Sequence, residues 1–173
     1  MRKFVLAGLC LVASVAAIQA QTAPAKSMPA AEGKVDSSWK CAAPAPVNML
    51  PAGDQPDHAY VLQQFKCTAT KGEIAGIKET EGTGVEVMEA TGNTGKGHGT
   101  FVESLANGDK LIVSYETSGT MSNKMFQSGT NKWTVKSATG KLKGIKGSGS
   151  CAGTGNPDGS ANFTCTGTYT MPK

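Results

Sequence analysis

The sequence predicts an all-β fold: a small antiparallel β-barrel of about eight strands with two disulfides. Three observations carry this. From Thr68 onward, short runs of Thr, Val, Ile and aromatic residues alternate with Gly, Asn and Ser clusters, and no stretch carries a long helical apolar period. Two hairpin turn sequences, Asn107-Gly108 and Asn156-Pro157-Asp158-Gly159, punctuate those runs. Four cysteines, Cys41, Cys67, Cys151 and Cys165, follow what reads as an export signal, and an even count in that setting implies disulfides.

Taken in order, the chain opens on Arg2 and Lys3, then an apolar run from Phe4 to Val15, then small residues at Ala16, Ala17 and Ala20. This is the pattern of a secretory signal peptide over residues 1–20, too short to span a bilayer. Leu9 before Cys10 does not suit a lipoprotein cleavage site, so no stable membrane anchor is expected. Removing Arg2 and Lys3 lowers the net charge from +4 to +2. So weak a balance gives no argument for nucleic acid or for anionic membranes, and no nucleic-acid partner is expected. Residues 21–36, rich in Ala, Pro, Lys and Ser, read as a disordered linker. Residues 37–173 then form one β-barrel domain.

Pro44, Pro46, Pro51 and Asp54-Gln55-Pro56 mark an irregular excursion after Cys41. Candidate strands follow at 58–67, 73–79, 84–90, 98–105, 110–117, 131–137, 142–152 and 161–170. The segment around Val61, Leu62 and Phe65 would also fit a helical face, but it is short and reads as strand. Asn107-Gly108 is a strong two-residue hairpin signal. Its register gathers His98, Thr100, Val102, Ser104, Leu111, Val113 and Tyr115 on one face, expected to point inward. The opposite face, with Phe101, Glu103 and Leu105, is then outward.

The C-terminal hairpin is more sharply specified. Pro157-Asp158-Gly159 suits a three-residue loop, a type I turn closed by a glycine bulge. Asn156 then faces Ser160, and five pairs further out Cys151 lies directly opposite Cys165 in a non-hydrogen-bonded pair. Cα atoms in such pairs approach to roughly 4.5 Å, within the range a disulfide spans. Of the three connectivities four cysteines allow, fixing 151–165 leaves 41–67. Glycines at 140, 144, 147 and 149 suit a strand coiling round a small barrel. Gly147-Ser148-Gly149-Ser150-Cys151-Ala152 matches a loose dinucleotide fingerprint, but a hairpin follows where a helix is needed.

Few residues point to chemistry. His98 and Tyr115, placed on one face by the hairpin register, form a candidate pocket: an acid/base pair or polar anchors for a ligand. The bland alternative puts His98, within Gly95-Lys96-Gly97-His98-Gly99, at an exposed strand end. His58 after Asp57 reads as solvated, since neighbours on a strand point to opposite faces. Glu73, Glu79, Glu81, Glu86 and Glu89 read as a solvent face, as do Lys132, Lys136, Lys141, Lys143 and Lys146. There is no C-x-x-C spacing and only two histidines, so neither a metal nor a cofactor is expected.

The run Ala138-Thr139-Gly140-Lys141-Leu142-Lys143-Gly144-Ile145-Lys146-Gly147-Ser148-Gly149, with Asn107-Gly108-Asp109 and Trp133, resembles secreted bacterial proteins of unassigned function. These in turn are similar to the eight-stranded barrel of allene oxide cyclases and dirigent proteins. The resemblance covers about Gly99 to Tyr169, and its motif is glycine architecture. It implies a barrel and a periplasmic or secreted location. No catalytic residue of the cyclases matches a position here, and none is carried over.

The expectation is an exported, non-enzymatic barrel binding a small apolar or amphipathic molecule. The alternatives are a cyclase- or isomerase-type enzyme anchored by His98 or Tyr115, and an envelope or secreted interaction module acting through its outer face.

Overall fold

The computed structural model describes residues 31–123 and 125–173. The expected signal peptide, and the expected linker up to residue 30, lie outside the described residues. Ten strands follow in order: β1 Glu32–Cys41, β2 Val47–Pro51, β3 His58–Lys71, β4 Glu73–Ile74, β5 Ile77–Thr91, β6 Thr94–Leu105, β7 Lys110–Ser122, β8 Met125–Ala138, β9 Lys146–Gly155 and β10 Ala161–Thr170. Every pairing is antiparallel. The order β3-β1-β10-β9-β8-β7-β6-β5 closes on itself through the β3–β5 ladder, giving an eight-stranded barrel. β2 and β4 lie outside that ring, on β3 and β5.

The strand carrying Val35, Ser37, Trp39 and Cys41 inward begins at Glu32, so residues 32–36 belong to the barrel and not to a linker. Its pairing with β10 runs the full length from Glu32↔Thr170 to Cys41↔Ala161, and a complete ladder outweighs a polar composition. The excursion after Cys41 contains β2, which pairs with the first half of β3 and continues the line of β1 along it. Residues 77–91 form one strand where two short ones were expected, because a bulge between Glu79 and Glu81 absorbs the break in alternation. Before β9, Gly140–Leu142 is a 3-10 turn, and the strand starts at Lys146. That turn sends Leu142 and Ile145 into the base of the barrel, beside Ile74, Leu105 and Leu111. This end is plugged by apolar side chains.

The C-terminal hairpin has the predicted register, with Ala161↔Gly155 and Cys165↔Cys151. Asn156 N–H donates to Ser160 O (2.7 Å), Gly159 N–H donates to Asn156 O (3.0 Å), and Gly159 takes φ +80°. Both expected disulfides are present, Cys151–Cys165 and Cys41–Cys67, with Cα atoms 4.0 and 3.9 Å apart. The repeated glycines make room for aromatic rings. Gly149 and Gly167 lie under the Trp133 indole, where a Cβ on either would strike the ring.

The β6–β7 hairpin differs by one residue from expectation. Its loop is Ala106-Asn107-Gly108, with Leu105 N–H donating to Asp109 O (2.9 Å) and Gly108 at φ +86°. Gly108 thus closes a three-residue loop with a glycine bulge instead of ending a two-residue turn. The ladder pairs Phe101 with Val113 and Gly99 with Tyr115. A one-residue slip turns every β6 side chain over. Phe101, Glu103 and Leu105 therefore face inward, and His98, Thr100 and Val102 face outward.

Candidate functional site

The barrel interior is open at the end opposite the apolar plug. A cavity of about 390 Å³ runs inward from a mouth edged by Met49, Met88, Met121, Met125 and Phe126. Its walls are aromatic: Trp39 meets Phe101 edge-on at 5.3 Å, and Phe65 stacks on Phe101 at 6.4 Å. The volume falls within the range of small-molecule sites.

Set in this apolar wall are three carboxyls. Glu79, Glu86 and Glu103 are 2, 6 and 5 % exposed. Glu79 and Glu86 are seven residues apart, so an unbroken strand would point one in and one out. The β5 bulge puts both inside. Gly72 leaves room for the Glu79 carboxyl, since a Cβ there would land on Oε2. Glu103 arrives inside through the β6 register. Glu73, Glu81 and Glu89 of the same acidic run are exposed, as expected of a solvent face; Glu79 and Glu86 are not.

Burial pushes the Glu79 carboxyl up to about 7, partly offset by the neighbouring Ser37 and Glu103 side chains. Burial, and then the neighbouring Glu79 charge, push Glu103 up to about 9. Glu86 is also raised by burial, opposed by a hydrogen bond from Gln63 Nε2 to its Oε1 (3.0 Å). Tyr115 is raised by burial and by the Glu86 charge beside it. A carboxyl that keeps its proton here escapes the cost of an unpaired buried charge.

Among the described residues, five buried side-chain polar atoms have no hydrogen-bond partner: Glu79 Oε2, Glu103 Oε1, Tyr115 Oη, Asn131 Oδ1 and Trp133 Nε1. All five residues line the one cavity. Buried polar groups are nearly always satisfied, and such a concentration of orphans in one chamber calls for an explanation.

The structure does not bring His98 and Tyr115 together. Tyr115 lines the cavity from β7. His98 is exposed on the outer face of β6, paired with Glu116 in a shallow depression that also holds Val85, Val87 and Lys132. The two-residue turn assumed for Asn107-Gly108 had placed it wrongly. His58 is also not solvated: it is 9 % exposed, with Nδ1 2.6 Å from Asp54 Oδ1 and Nε2 2.9 Å from Glu89 Oε1. Its carboxylate comes from the preceding loop and not from the adjacent Asp57. The inner residues Glu79, Glu86, Glu103, Asn131 and Trp133 were not foreseen. The odd spacing of Glu79 and Glu86 across Thr80 was the available signal of a bulge.

No protein-family model and no curated protein matches the chain. Among solved structures, it is similar to two pterocarpan synthase dirigent proteins. One has a TM-score of 0.49 at 11 % identity, covering 91 % of this chain and 100 % of that chain. The other has a TM-score of 0.49 at 9 % identity, covering 83 % and 97 %. The eight-stranded barrel itself rests on the strand pairing described above.

Proposed function

We propose that the chain is an exported, non-enzymatic barrel that binds a small amphipathic molecule in its interior. One observation carries this: an apolar chamber, open at one end, in which five buried polar atoms have no partner among the described residues. A ligand with an apolar body and a polar head would fill the first and satisfy the second. Export is supported by the two disulfides, which form and persist in oxidising compartments, and by the basic-then-apolar N-terminus. It predicts a mature chain beginning at Gln21, read by N-terminal sequencing of the secreted or periplasmic protein.

The binding reading is tested by native and denaturing mass spectrometry of one sample from the oxidising compartment. A native mass larger by a few hundred daltons, reduced in Tyr115→Phe, is the expected result. Equal masses, together with no response of tryptophan emission to added amphipathic probes, would remove the reading.

A second reading, an interaction module, is favoured by the outer face. Leu50, Tyr60, Leu62, Val85 and Val87 are exposed on adjoining strands β2, β3 and β5. Concentration-dependent sedimentation, abolished by Leu62→Glu, would support it; a monomer at all concentrations with no captured partner would count against it.

A further inference from the structure

We propose that the barrel's ligand is an organic cation, an amine whose ammonium head sits among Glu79, Glu86, Glu103 and Tyr115 and whose apolar body lies against Trp39, Phe101 and Trp133. This deepens the proposed function and rests on it.

The charge of the lining is one-sided. The cavity walls carry three carboxyls and no Lys, Arg or His among the described residues. A buried carboxyl either keeps its proton or is paired with a cation, and no group of described residues is arranged to hold a metal ion. A cationic ligand would be the partner that lets one of these carboxyls ionise in place.

The orphaned atoms point the same way. Tyr115 and Trp133 are each 7 % exposed and line the cavity with unpartnered polar atoms. Four of the five orphans are oxygens, and three of those belong to carboxyl or amide groups that can accept. An ammonium brings up to three donors to one point, where a neutral alcohol brings one. An anionic ligand would set a like charge beside Glu79 and Glu103. Trp133 Nε1–H asks for an acceptor elsewhere on the ligand, and the Tyr115 hydroxyl can donate as well as accept. Aromatic faces nearby favour a cation further.

Proton balance follows. Without a cation beside them, Glu79 holds its proton up to about 7 and Glu103 up to about 9. An ammonium entering the site stabilises the carboxylate, and a carboxyl proton leaves to solvent. The groups facing this head are Glu79 and Glu86 from β5, Glu103 from β6 and Tyr115 from β7; the lining from β1, β3, β8, β9 and β10 contributes no titrating group. His98 lies on the outside of the wall, where its charge, when present, favours ionised Glu86.

The test uses the full mature chain and three probes of one shape: 4-phenylbutylamine, 4-phenylbutanol and 4-phenylbutyrate. The protein's two tryptophans, Trp39 and Trp133, both line the cavity, so intrinsic emission reports entry. The amine is expected to bind at least about tenfold more tightly than the alcohol, with the acid weakest. Calorimetry in buffers of different ionisation enthalpy should show proton release, and affinity should rise by up to about tenfold per pH unit between pH 6 and pH 8. Glu103→Gln should erase the amine's advantage while alcohol binding persists. If that variant does not fold, the three-probe comparison on the wild type still decides. Alcohol binding as tightly as the amine overturns the cation and leaves the interior site standing. None of the three binding overturns both.

Discussion

Glu103 on β6 shares the barrel interior with Glu79 on β5, and among the described residues no basic side chain lines that interior. Both are held protonated well above the ordinary carboxylate range, chiefly by burial. Raised carboxyl values mean that the folded state binds more protons than the unfolded one. Their stabilising contribution is complete below the usual carboxylate value of 4.5 and is lost as pH rises through about 7 and then about 9. The protein should therefore lose stability steadily from about pH 5 to pH 9. Urea denaturation across that range measures it. Glu103→Gln should flatten the profile, and a wild-type midpoint that holds constant or rises with pH would contradict the assignment.

His58 is predicted to titrate above the ordinary histidine value. The hydrogen bond to Asp54 is the main cause, and Glu89 adds to it. The contribution of this cluster to stability is present below the unfolded value and lost as pH rises through the folded one. An NMR titration of the His58 ring should show the raised midpoint, and Asp54→Asn should lower it. An unchanged midpoint in that variant would mean the short Asp54 contact does not persist in solution.

The Cys151–Cys165 bridge closes a loop with a sequence separation of 14 residues. Its removal in the double variant Cys151→Ala, Cys165→Ala should cost about 3 kcal/mol, by freeing the unfolded chain. The denaturant midpoint should fall, and the slope of the transition may be compared to check that unfolding stays cooperative. A loss near zero would mean that the Pro157-Asp158-Gly159 turn already sets this pairing unaided.

Gly149 supports Trp133 by lacking a side chain. In Gly149→Ala the new Cβ would meet the Trp133 ring and the Thr166 carbonyl oxygen. Overpacking of this kind costs about 1–3 kcal/mol. Tryptophan emission should shift in the same variant, because Trp133 must move within the cavity. A stable variant with wild-type emission would show that the ring has space in another direction.

Much of the fold was legible because its information is local. The Asn156-Pro157-Asp158-Gly159 turn sets a register by itself, and that register alone brings Cys151 opposite Cys165. The second bridge followed by elimination. The β6–β7 turn shows the limit: Asn107-Gly108 serves a two-residue loop or ends a three-residue one, and the two differ by a single position. That position decides whether His98 or Glu103 faces inward. The β5 bulge was similarly hidden, since alternation read through Thr80 sends Glu79 and Glu86 to opposite sides.

Residue types and turn chemistry, acting over a few neighbours, determined an all-β chain, its two covalent links and its C-terminal hairpin. Closure of β3 on β5, the inward turn of three carboxyls, and the chamber they share were decided by the tertiary structure. The physical reason is that a strand has two faces of equal local merit. Only pairing with strands distant in sequence, and the bulges that let eight of them close, select which face becomes the interior.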